Sequence, residues 1–152
     1  MNRSSWGFSN FNGDGNGFKL GGGTTDADIK PAAHSLTNNF AFNNAAGGFV
    51  DNSQTGKMTL TRNTAWNNTG TGLRFGSATA TLTSNIGASN KAADKSLSSA
   101  QKESGNSWGK IAFKSTDTSL VTGARGSDGK IATSSFLVPS SGNAVGATTA
   151  WS

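Results

Sequence analysis

The chain contains no cysteine. That excludes disulfides and thiolate metal sites. It has one histidine, His34. No serine or cysteine stands at a recognisable spacing from it, so a nucleophile–histidine site finds no support and His34 reads as a turn residue. No window holds the roughly 18 apolar residues of a transmembrane helix, and no membrane partner is expected. The opening MNRSSWGFSN lacks the apolar run of a signal peptide. Charge is sparse, at 14% of residues. Aromatic and basic residues do not interleave as single-strand binders require, and no nucleic-acid partner is expected.

What is present is glycine, 21 residues of it, with much serine, threonine and asparagine. Only 33% of the chain is hydrophobic. Such a composition fits disorder, or a fold that turns often and buries polar ladders. Four tryptophans, nine phenylalanines and a modest net charge favour the ordered fold. A length of 152 residues suits one domain. A net charge of +5 suits a polyanionic partner, either nucleic acid or acidic polysaccharide, or serves solubility alone. Asn67-Asn68-Thr69 is a glycosylation sequon.

A repeat runs through the first ninety residues. LTNNFAFNNAAGGF begins at Leu36, LTRNTAWNNTGTGL at Leu60 and LTSNIGASN at Leu82. Each copy aligns an asparagine (Asn39, Asn63, Asn85), then a small residue (Ala41, Ala65, Gly87), then a second asparagine (Asn44, Asn68, Asn90). A period of this size predicts stacked coils of short parallel strands. Alternation of Leu36, Asn38 and Phe40 with Thr37, Asn39 and Ala41 predicts a strand through that stretch. Asn39, Asn63 and Asn85 then form a ladder in which buried amides pair one another. The fold expected is an all-β parallel β-helix of three to four coils.

The run NGDGNGFKLGGGTTD sets Lys19 between Phe18 and Leu20 among glycines. Gly17-Phe18-Lys19-Leu20 aligns with Gly48-Phe49-Val50-Asp51 and with Gly72-Leu73-Arg74-Phe75. Phe18, Phe49 and Leu73 should stack inside. Lys19, Val50 and Arg74 should face outward, with the glycines leaving the backbone open to a bulky ligand. A strand holds such a side chain more rigidly than a loop. Arg74 on that face can meet a carboxylate bidentately, or stand merely solvated. Phe42 and Trp66 share one repeat position and read as packing residues.

The repeat fades after residue 90. Coils are therefore expected over 1–90, and a loop with a capping segment over 91–152 of the same domain. KAADKSLSSAQKESGNS, residues 91–107, reads as a long loop. WGKIAFKS then reads as a strand, and SSFLVPSSGNAVGA as an irregular cap. Trp108, Phe113, Phe136 and Leu137 should pack over the last coil.

GNGFKLGG, HSLTNNFAFNNAAGGFVDN and MTLTRNTAWNN together resemble the pectate lyases of polysaccharide lyase family nine. The resemblance covers most of the chain. It implies a right-handed β-helix with an asparagine ladder, secretion, a monomer, polygalacturonate as partner and calcium as cofactor. It also implies that Lys19 is the base. Such enzymes remove the C5 proton, α to the uronate carboxylate, and break the C4–O bond. Calcium there neutralises the carboxylate. A lysine base must be neutral, so its ordinary pKa of about 10.4 must be lowered or the reaction run in alkali.

The sequence departs from that family in one respect. Its acidic cluster of the Asp-Asp-Gly-Trp-Asp type has no match here. Asp14 is the only acid upstream of Lys19, and Asp26, Asp28 and Asp51 fit no family motif. The metal ligands are thus not identified. A chain truncated at its N-terminus, or a degenerate homologue, accounts for this. The alternative function is a non-catalytic β-helix that binds acidic polysaccharide or serves as a surface or structural module.

Overall fold

The structure is a computed structural model that describes residues 13–22, 30–142 and 144–150. Among these residues, twelve short strands wind through three sheets in turn. They are β1 (Phe18–Lys19), β2 (His34–Thr37), β3 (Phe40–Phe42), β4 (Phe49–Val50), β5 (Lys57–Thr61), β6 (Thr64–Trp66), β7 (Thr71–Phe75), β8 (Thr79–Thr83), β9 (Ile86–Ala88), β10 (Ala93–Leu97), β11 (Lys102–Ser104) and β12 (Ser107–Trp108). Sheet A has the order β1-β4-β7-β10, sheet B β11-β8-β5-β2 and sheet C β12-β9-β6-β3. Every pairing within them is parallel. This is the parallel β-helix that the repeat predicts.

The repeat closes into coils because the chain can turn at two corners. Asn38, Arg62, Ser84 and Gly105 have positive φ at the corner between sheets B and C. Asn43, Asn67 and Ser89 do so at the corner before sheet A. Left-handed backbone is costly for most side chains and least so for glycine and asparagine. The sequence expectation of one strand through 36–41 is therefore corrected: the chain bends at Asn38, and β2 and β3 belong to different sheets.

A ladder residue follows each such corner. Asn39 donates through its backbone N–H and Nδ2 to Oδ1 of Asn63, both at 3.0 Å. Asn63 repeats this to Asn85 at 2.9 and 3.0 Å, and Asn85 to Asn106 at 2.8 and 3.0 Å. Each inner amide also donates backward to a carbonyl: Asn63 to Leu36, Asn85 to Leu60, Asn106 to Leu82. A second ladder runs Asn44, Asn68, Asn90 and closes on the Asp94 carboxylate. Asn63, Asn68 and Asn85 are almost wholly buried, and the ladder satisfies them.

Leu36, Leu60, Phe49, Leu73, Phe75, Leu82 and Met58 fill the interior. Phe18 stacks on Phe49 with ring centroids 4.7 Å apart. The glycine before each aromatic position serves this interior. A Cβ on Gly17 would lie 2.6 Å from Asn44 Nδ2, and one on Gly48 2.5 Å from the Gly72 carbonyl. The expectation that these glycines open a face to ligand is corrected at Gly17, Gly48 and Gly72: they let the coils approach the second ladder.

Two further expectations change. Residues 91–107 are not a loop, because β10, β11 and the first residue of β12 lie there and add a coil. His34 is a strand residue in register with Met58, not a turn. The C-terminal segment also departs from a simple end cap. Phe136 is fully buried on the flank of sheet C, against Phe40, Phe42 and Trp66 at 5.5, 5.1 and 6.4 Å between centroids. Phe42 and Trp66 are indeed packing residues, in register with each other.

The tail then laces across the corners. Arg62 Nη1 donates to the Ala144 carbonyl, Gly146 N–H to Ser84 O, and Ala147 N–H to Thr64 Oγ1. Thr148 exchanges two hydrogen bonds with the Asn38 side chain. Gly146, at φ +77, is required: a Cβ there would lie 2.5 Å from Ile86 Cδ1.

Candidate functional site

Sheet A carries the residues of interest. Lys19 pairs in register with Val50, and Val50 with Arg74. β10 continues the column at Ser96. Lys19 and Arg74 are exposed, and strand spacing sets their backbones about 9–10 Å apart. Val50 was expected to face solvent but is 1% exposed. Its Cγ1 would stand 2.9 Å from a Cβ on Gly47. The site is thus two cations flanking a sequestered apolar residue, a pattern that alternation alone did not reveal.

Asp14 completes the arrangement. Its carboxylate Oδ2 forms an ion pair with Lys19 Nζ. The turn that presents it is well anchored. Ala46 N–H donates to Gly15 O, Gly17 N–H to Gly47 O, and Gly47 N–H to Asn16 Oδ1, at 2.8–2.9 Å. Lys19 therefore has a fixed base of strand and a carboxylate partner delivered by the preceding turn. Sequence reasoning had Asp14 only as an acid upstream.

Calcium takes six to eight oxygen ligands, several of them carboxylate. Asp14 is engaged by Lys19. Asp51 is buried, and its Oδ2 accepts the N–H groups of Ser77 and Ala78 at 2.7 and 3.0 Å. Asp26 and Asp28 lie outside the described residues. Among the described residues no three acidic or histidine side chains cluster. These residues do not by themselves fit a calcium ion.

Stacked parallel coils and amide ladders at the corners define a β-helix, with Lys19 and Arg74 outward on one face. The sequence model of the Pel9A-like, right-handed β-helix region matches residues 1–104. The chain belongs to that family, and its coils are accordingly right-handed. It is 56% identical over 153 aligned residues to pectate lyase PEL9 of Emericella nidulans, covering 97% of this chain and 37% of that protein. It is 34% identical to pectate lyase L of Paenibacillus polymyxa, over 89% of this chain and 31% of that protein. Pectate lyase L of Dickeya dadantii is also 34% identical, over 87% and 31%. The chain spans about a third of the length of these relatives. No solved structure matches it significantly.

Proposed function

We propose that this chain supplies the lysine face of a pectate-lyase-like β-helix acting on polygalacturonate. The observation that carries the reading is the register Lys19–Val50–Arg74, which aligns two exposed cations along the helix axis. Family membership and relatives named pectate lyases support it. In this reading Arg74 binds a uronate carboxylate bidentately and fixes the polymer along sheet A. Lys19 Nζ leaves the Asp14 ion pair, gives up its own proton to alkaline solvent and, now neutral, takes the C5 proton with its lone pair. The electrons of that C–H bond form the C4–C5 double bond, and the C4–O bond breaks with its pair on the departing sugar oxygen. The proton on Lys19 then passes to solvent. Calcium dependence belongs to the same reading through the relatives named pectate lyases, with no ligand set assigned among the described residues. Secretion belongs to the same reading, since the polymer is extracellular.

A second reading is a face that binds acidic polysaccharide without cleaving it. The Asp14–Lys19 ion pair favours it, because it occupies the amine. The test is the absorbance of unsaturated product from polygalacturonate at alkaline pH, with calcium and with chelator, for the chain and for Lys19→Ala. Activity that disappears in Lys19→Ala supports the lyase reading. Activity that survives the substitution removes Lys19 as base. Folded chain that binds polymer without making product leaves the binding reading.

A further inference from the structure

Three interior columns run along the solenoid, one per sheet, and all three end in the same coil. In sheet A, Phe18, Phe49 and Leu73 continue in register to Lys95. In sheet B, Leu36, Leu60 and Leu82 continue to Glu103. In sheet C, Ala41, Ala65 and Gly87 continue to Trp108. Two apolar columns thus terminate in opposite charges, and the column of small residues terminates in the largest side chain.

These three side chains meet. Lys95 Nζ lies 2.7 and 2.9 Å from the two carboxylate oxygens of Glu103. It also stands 5.2 Å from the centroid of the Trp108 ring. Trp108 Nε1 donates to Glu103 Oε2 at 2.9 Å. The indole rests on the coil beneath, with Cε3 3.0 Å from where a Cβ on Gly87 would be. The Lys95 and Glu103 side chains remain 38% and 33% exposed, so the charged end faces water.

We infer that Lys95, Glu103 and Trp108 form a plug that closes this end of the solenoid against pairing with a second copy of the chain. β10, β11 and β12 each end their sheet, and sheet edges invite addition of further strands. Trp108 roofs the apolar interior. A second copy stacking here would have to desolvate the Lys95–Glu103 pair, which its attraction does not repay without new partners. This explains why the C-terminal segment is free to cover the flank of sheet C: the last coil seals itself.

The test compares the full 152-residue chain with Lys95→Leu/Glu103→Leu by sedimentation across a concentration series. The double variant continues both apolar columns to the open end. It should keep its β-sheet circular dichroism and self-associate at least about tenfold more tightly than the parent. The swapped pair Lys95→Glu/Glu103→Lys should associate no more than the parent. A folded double-leucine variant as monodisperse as the parent overturns the inference, and so does a parent that already associates through this end. Should the double variant fail to fold, Lys95→Leu and Glu103→Leu singly decide. Each must associate more than the parent, and a folded single variant that does not overturns the plug.

Discussion

Arg74 follows Lys19 by two coils in the outward column of sheet A, with the buried Val50 between them. A bidentate guanidinium–carboxylate contact is among the stronger polar contacts a surface can make. Arg74→Ala should weaken polygalacturonate binding about tenfold and leave the unfolding midpoint unchanged. Arg74→Lys should recover only part of the loss, because an ammonium cannot chelate. A binding titration on both variants checks this. Unaltered affinity in Arg74→Ala would show that the polymer does not use that column.

The ladders make a sharper stability prediction. Asn63 accepts two part-buried hydrogen bonds from Asn39 and donates to Asn85 and Leu36 in the interior. Asn63→Ala strands several of these partners and should cost about 2–4 kcal/mol. Asn67 offers a control one corner away. It is exposed, bonded to Asn43 at 2.8 Å and at positive φ, so Asn67→Gly, which keeps that backbone, should cost less than about 1 kcal/mol. Urea unfolding of the two variants reads the difference, and equal losses would sink the account of the ladder.

The tail is testable at Gly146. A methyl group there meets Ile86 and Thr64, and φ is positive. Gly146→Ala should lift the tail from the corners and cost about 1–3 kcal/mol. Phe136→Ala should cost more, about 3–5 kcal/mol, and move Trp66 fluorescence as its ring contact is lost. Unchanged emission in folded Phe136→Ala would contradict the packing described.

The sequence made the coils legible because each carries the same Leu-Thr start and the same paired asparagines. Register followed from that alignment, including Lys19 with Val50 and Arg74. The coil of β10, β11 and β12 was missed for a physical reason. Its interior positions are Lys95, Glu103 and Trp108, which read as surface when apolar periodicity is the guide. Asn106 kept the ladder signal, but without a leucine before it the copy did not stand out. The tail left even less trace. Its contacts are backbone groups meeting corner residues, and such pairings impose no side-chain pattern. Asp14 and the burial of Val50 depend on how a glycine-rich turn folds back, which neighbouring residues alone do not specify.

Coils in a solenoid ordinarily touch only their neighbours, so such molecules can come apart one turn at a time. The bonds between Asn38 and Thr148 join residues 110 apart in the chain. With Arg62 and Ser84 held by the same segment, three successive turns share one fastening. The turns at Asn38, Arg62 and Ser84 then cannot part from one another while residues 144–148 stay docked. Their loss of order is tied to the release of that segment, and Val50 and Arg74 keep their spacing on sheet A until it lifts.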